Sequence, residues 1–138
     1  MFAKSISEIV LVVRDVPASA RFYRDVAALA PHTEPTDDWA WFWTGEPERS
    51  ALLGLRRGTL LFEEHSPRPP GARWGPIHYA LRVPRGRLDA AVAHVRARGV
   101  TVYGPMRLEW MNALSYYFYD PDDNLLEWWS PDPSGTGL

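Results

Sequence analysis

Gly75-Pro76-Ile77-His78-Tyr79-Ala80-Leu81-Arg82-Val83 is the stretch whose reading decides the fold. Ile77, Tyr79, Leu81 and Val83 alternate with His78, Ala80 and Arg82, the period of two that a strand imposes when one face packs on a core and the other does not. Seventy positions earlier, Glu8-Ile-Val-Leu-Val-Val-Arg-Asp15 repeats the apolar spacing, with Glu8 where His78 stands. Leu11, Val13 and Phe22 fall on Leu81, Val83 and Val92 at the same offset. The pattern is that of an internal duplication with polar residues turned toward a shared cavity.

Working outward, the first copy begins with a β-branched strand from Ile6 to Val13, in which Ile9, Leu11 and Val13 face one way and Glu8, Val10 and Val12 the other. Asp15 before Pro17 suits the start of a helix carrying Ala18, Phe22, Val26 and Leu29, and Pro31 stops it. Pro31 to Asp38 reads as a loop. Strands are expected at Trp39 to Trp43, Ser50 to Leu55 and Thr59 to Glu64, punctuated by Gly45-Glu-Pro and Arg56-Arg-Gly58. The first half is therefore β-α-β-β-β.

His65 to Pro76 holds four of the thirteen prolines and two glycines, the composition of a crossing loop between halves. The second half repeats the order. A helix follows with Leu88, Ala91, Val92 and Val95 on one face, Asp89 near its start, Arg96 and Arg98 near its end, and Gly99 just beyond it. Val100 to Met106 is an expected strand. Leu114 to Tyr119 and Leu125 to Trp129 form a hairpin around the turn Asp120-Pro-Asp-Asp-Asn124. The fold class is α+β, one domain over residues 1–131 with modules at about 5–66 and 76–131, and a loose tail over 132–138.

Composition removes several classes of function. Fifteen basic against seventeen acidic residues leave a net charge of −2, so the chain lacks the basic footprint that nucleic-acid binding needs. There is no cysteine, which excludes disulfides, thiolate metal sites and a cysteine nucleophile. Ile9 to Val13 is far short of the roughly 20 apolar residues of a membrane span, and the start of the chain is unlike a signal peptide. The chain reads as cytoplasmic, without membrane or nucleic-acid partners. Aromatic residues make up 13% of it, with seven Trp, an excess that asks for a use.

A second internal match, at an offset of sixty-four, lays Leu61-Phe-Glu-Glu-His-Ser-Pro67 on Leu125-Leu-Glu-Trp-Trp-Ser-Pro131 and so Glu63 on Glu127. Two equivalent pairs result: Glu8 with Glu63, and His78 with Glu127. His78 and Glu127 are both expected on the concave side of the sheet. One imidazole with carboxylates suits a divalent ion of the zinc, iron, manganese or nickel kind. Each residue also has an ordinary role open to it: His78 as a surface or hydrogen-bonded residue, Glu8 as a strand start, Glu63 as a strand end in solvent. Glu127 among Leu125, Leu126, Trp128 and Trp129 is the least easily so explained, because carboxylates are seldom buried unless paired.

The run Glu8…Asp15-Val-Pro-Ala-Ser-Ala-Arg-Phe22-Tyr23, then Pro76-Ile-His78-Tyr-Ala-Leu-Arg-Val83, then Tyr117-Phe-Tyr-Asp120-Pro-Asp-Asp-Asn124-Leu-Leu-Glu127, resembles the vicinal oxygen chelate superfamily over about residues 5–131. That group includes glyoxalase I, bleomycin-resistance proteins, fosfomycin-resistance thiol transferases and extradiol dioxygenases. The resemblance implies two βαβββ modules forming a cupped, mainly antiparallel eight-stranded sheet with helices on the outer face, around one divalent ion, commonly in a homodimer. It places ligands at Glu8, His78 and Glu127, with Glu63 a fourth candidate. Glu8 departs from the His that many relatives carry there.

Three carboxylates and one imidazole around a divalent ion leave the site about one negative charge in excess, so one carboxylate is held loosely and is suited to moving a proton. The resulting expectation is a glyoxalase-like metal-dependent isomerase or lyase, with Glu8 or Glu127 as base beside a metal-bound oxygen of a small molecule. The alternative is a metal-free binding protein of the bleomycin-resistance kind, motivated by Trp39, Trp41 and Trp43 at period two and by Trp110, Tyr117, Tyr119 and Trp129. A dioxygenase would call for two His and one Glu, and only His78 is placed. Substrate contacts are expected from Arg82, Tyr117, Tyr119, Trp41 and Trp129; Arg82 has two open roles, holding an anion or pairing with a cavity carboxylate.

Overall fold

The β-branched run after Glu8 forms β1 (Glu8–Val13), whose Leu11 and Val13 are buried while Val12 between them is 36% exposed. The alternation read from the sequence is thus the alternation of the sheet. The computed structural model describes residues 6, 8–58, 77–109 and 112–132. The chain divides into two units, residues 1–75 and 76–138. Each is a βαβββ-like module with a four-stranded mixed sheet, and the class is α+β as expected.

In the first unit β1 leads through α1 (Val16–Arg21) and a π-helical turn (Phe22–Val26) to β2 (Ala30–Pro31), β3 (Trp39–Trp43) and β4 (Leu52–Arg57). Asp15 caps α1 by accepting from the Ala18 amide at 2.8 Å, with Pro17 in the first turn where its missing N–H costs nothing. The helix buries Val16, Ala20, Tyr23 and Ala27, the stripe beside the expected Ala18, Phe22 and Val26, which are half-buried. Tyr23 is fully buried against Phe42, itself fully buried. These side chains, with Leu53 and Leu55, are the core of this unit, each contributing about 2 kcal/mol by burial.

The sheet runs in the order β1-β4-β3-β2, with β1 parallel to β4 and the other neighbours antiparallel. Two differences from the sequence reading follow. Residues 30–31, expected at the end of the helix and the start of a loop, pair with β3 as a short edge strand ending on a proline, which an edge tolerates. The strand beside β1 is β4; the strand expected at 59–64 lies outside the described residues, as do Trp110 and the crossing loop at 65–76.

The second unit comprises β5 (His78–Arg82), α2 (Leu88–Ala97), β6 (Tyr103–Leu108), β7 (Ala113–Tyr119) and β8 (Leu125–Pro131), in the order β5-β8-β7-β6. α2 buries Leu88, Val92 and Val95 as its periodicity demands, and Gly99 at φ +78° ends it. β6 begins at Tyr103, later than its apolar run suggests, and its register against β7 shifts between Tyr103 and Met106. The expected hairpin of β7 and β8 is present. Among the described residues no helix is long and apolar enough to cross a membrane.

The turn between β7 and β8 also fixes β5. Asp120 Oδ1 accepts from the amides of Asp122 and Asn124, Asp120 Oδ2 accepts from Asn124 Nδ2, and Asn124 Oδ1 accepts from the Ile77 amide at 3.0 Å. Asp120 and Asn124 are both 4% exposed. Asp120→Ala strips acceptors from three donors and is expected to cost about 2 kcal/mol or more in a urea titration, whereas an unmatched surface carboxylate would cost a few tenths.

Candidate functional site

β8 lies between β5 and β7, and its register puts Glu127 beside Ala80 on one side and Tyr117 on the other. Period two then sets His78, Ala80, Arg82, Leu125, Glu127, Trp129, Ser115, Tyr117 and Tyr119 on the face opposite the helix. Ala80 leaves room over the sheet, and His78, one step back along β5, leans across it. Its Nε2 lies 3.2 Å from Glu127 Oε2. Ser115 Oγ donates to the other oxygen, Glu127 Oε1. Glu127 is 6% exposed and Ser115 fully buried, so this carboxylate keeps two polar partners in place of water.

The other imidazole nitrogen settles the tautomer. His78 Nδ1 lies 3.1 Å from the Leu125 carbonyl oxygen, which can only accept, so Nδ1 carries the hydrogen. In a neutral ring Nε2 is then a lone pair, and it faces a carboxylate oxygen, another lone pair. The pair needs a cation between its members, a proton or a metal ion. A ring N–H given to a backbone carbonyl, with the second nitrogen turned toward a carboxylate, is also how a histidine ligand is oriented.

Tyr117 stands over the same carboxylate. Burial, and after it the nearby Glu127 charge, push its phenol above the usual tyrosine range. It is therefore a neutral O–H donor at physiological pH, its ring 6.2 Å from that of His78. The remaining expected contacts stand apart from this cluster. Arg82 has its guanidinium 5.9 Å from the centre of the Trp129 ring, and Tyr119 packs edge-on with Tyr103 at 6.2 Å. The Trp129 indole N–H is buried without a hydrogen-bond partner. Ser115 is not among the residues the sequence singles out; its place two residues before Tyr117 on the Glu127 face is the signal that would find it.

Strand pairing tests the internal alignment. Glu8 pairs with Leu52 in the parallel β1/β4 ladder as His78 pairs with Leu125 in the β5/β8 ladder, so Glu8 and His78 hold equivalent places. Two residues on, Val10 pairs with Gly54 where Ala80 pairs with Glu127. The counterpart of Glu127 is Gly54, and the match that set Glu63 there is replaced; Glu63 itself lies outside the described residues. The reason is that β4 takes the place beside β1 that the sequence reading gives to residues 59–64.

The first unit fills that place with a ring. Trp41, opposite Gly54 and equivalent to Tyr117, lies on the glycine so closely that a Cβ there would come within 2.6 Å of the indole. Trp39 stacks on Trp41 at 5.5 Å with planes 7° apart, and the Arg56 guanidinium sits 4.6 Å from the Trp39 centroid. These faces are engaged by one another and by Arg56. Among the described residues no three of His, Cys, Asp and Glu gather into a cluster; His78 and Glu127 stand together as a pair of donors.

A family model described as the Glyoxalase/Bleomycin resistance protein/Dioxygenase superfamily matches residues 5–128. Among solved structures, the chain is similar to an integron cassette protein from the mobile metagenome of a Halifax Harbour sewage outfall, with 23% identity over 93% of this chain and 99% of that one and a TM-score of 0.73. It is similar to lactoylglutathione lyase from Agrobacterium tumefaciens, with 22% identity over 94% and 96% and a TM-score of 0.71. It is also similar to an antibiotic-binding protein from Streptomyces, with 22% identity over 96% and 99% and a TM-score of 0.69. At these identities the likeness is one of fold. No curated protein matches the sequence.

Proposed function

Since the chain belongs to the Glyoxalase/Bleomycin resistance protein/Dioxygenase superfamily, we propose that it is a metal-dependent enzyme of the glyoxalase type, moving a proton beside an oxygen of a small molecule. The observation that carries this reading is the His78–Glu127 pair, with Nε2 and Oε2 3.2 Å apart and His78 Nδ1 engaged by the Leu125 carbonyl, the arrangement that orients a histidine ligand. His78 Nε2 and Glu127 Oε2 would hold a divalent ion of the zinc, nickel, manganese or iron kind. Glu8 is the third donor we assign, on its equivalence to His78. Such an ion, when bound, supplies a Lewis acid for a carbonyl or enolate oxygen.

The chain's own groups divide the remaining work. Both oxygens of Glu127 are engaged, one by Ser115 and one by His78, so Glu127 serves to bind and Glu8 is the carboxylate we assign to proton transfer. Tyr117, a neutral phenol that interacts with Glu127 and Ser115, is the group we assign to donate a hydrogen bond to a substrate oxygen. Gly54 holds in β4 the place that Glu127 holds in β8, so β4 offers no carboxylate there, and the two carboxylates we assign, Glu8 and Glu127, balance the charge of a divalent ion. The sandwich of Trp41 and Trp39 under Arg56 occupies ring faces that a flat ligand would stack on, which favours this reading over binding alone. The two-fold dimer expected from the sequence is retained in the proposal.

Purified without chelator from metal-replete medium, the wild type is expected to carry about one equivalent of divalent metal per chain by elemental analysis, and His78→Ala to lose it. An empty wild type, or a His78→Ala protein with its metal intact, would refute the assignment.

A further inference from the structure

Ser115 is a hydroxyl in the middle of an apolar strand, between buried Leu114 and half-buried Tyr116, with no exposure of its own. A buried hydroxyl there is costly unless it is bonded, and it donates to Glu127 Oε1 with the Tyr117 phenol as a second polar neighbour. The two oxygens of Glu127 are thereby made unequal. Oε1 is covered by Ser115, and Oε2 is presented to His78 Nε2 at 3.2 Å. In the first unit the equivalent positions hold Trp39 and Gly54, so the hydroxyl and the carboxylate are present together in one module and absent together from the other.

We infer that Ser115 is a positioning residue that makes Glu127 a one-oxygen ligand, presenting Oε2 to the ion and withholding Oε1. This rests on the metal reading proposed above and adds to it a statement about kind. Ions that take four to six donors at short distance, such as zinc or nickel, are served by a single well-placed carboxylate oxygen. Calcium, with six to eight oxygens and carboxylates taken through one oxygen or both, loses the two-oxygen mode to a hydrogen bond already seated on Oε1. Ser115 acts through Glu127 and touches neither ion nor substrate.

The test is a zinc titration of the full chain against a competing chelator, followed by intrinsic tryptophan fluorescence, with a calcium titration in parallel. Ser115→Ala is expected to weaken zinc binding by about ten- to a hundredfold, the usual effect of removing a partner that orients a ligand, and to narrow the preference for zinc over calcium. Ser115→Thr, which restores the hydroxyl on a side chain at home in a strand, is expected to recover most of the affinity. Thermal midpoints of both variants show whether a loss is merely structural. Unchanged zinc affinity in a folded Ser115→Ala overturns the inference while leaving the metal site standing. A Ser115→Thr protein that folds but binds as weakly as Ser115→Ala also overturns it. A wild type that takes up no zinc overturns both.

Discussion

Glu127→Gln is expected to abolish metal binding while leaving the protein folded. The substitution keeps the side chain's shape and its capacity to accept from Ser115, and removes the negative charge that a cation would balance. Orienting partners alone are worth about ten- to a hundredfold in affinity, so loss of a ligand's charge should exceed a hundredfold. Stability should change little, because the buried carboxylate is relieved of its desolvation cost as it loses its ion pair. Isothermal titration with zinc, read beside a denaturation curve, separates the two effects. If the Glu127→Gln variant bound zinc as the wild type does, Glu127 would have to be reassigned to a structural role.

The second large effect lies in the first unit. Gly54→Ala places a methyl within 2.6 Å of the Trp41 ring, closer than such atoms approach. Trp41 cannot withdraw cheaply, since Trp39 stacks on it and Arg56 lies over Trp39. Overpacking of this kind typically costs about 1–3 kcal/mol, and a value near the upper end is expected from urea unfolding. Trp41→Ala should relieve the clash, so the double variant should be more stable than the two single losses predict. Strict additivity would show that the ring does not rest on the glycine.

Much of the fold is legible because it is written locally. Period two in Leu11 and Val13 and in Tyr79 and Leu81 marks β1 and β5, period 3.6 in Leu88, Val92 and Val95 marks α2, and Asp120 to Asn124 marks the hairpin. The strand beside β1 is not legible in this way, because its identity depends on which segment pairs there, a non-local fact. Leu61-Phe-Glu-Glu resembles Leu125-Leu-Glu-Trp more than Leu52-Leu-Gly-Leu does, yet Leu52–Arg57 takes the place. β2, two residues ending on Pro31, is too short to show any period.

The site divides along the same line. His78 and Glu127 on one face follow from alternation on β5 and β8, and the structure brings them together. Trp39 and Trp41 on one face follow equally, but that their rings would be engaged by Gly54, each other and Arg56 depends on cross-strand register. Ser115 is an ordinary letter between Leu114 and Tyr116 until β7 is laid against β8, where it reaches Glu127.

The most direct test of the central claim is a crystal structure of protein grown with zinc, with anomalous data on either side of the zinc absorption edge. The account predicts an edge-dependent peak at about 2.0–2.2 Å from both His78 Nε2 and Glu127 Oε2, with the Leu125 carbonyl still accepting from His78 Nδ1. A well-ordered His78 and Glu127 with no such peak between them, under zinc in excess, would contradict it.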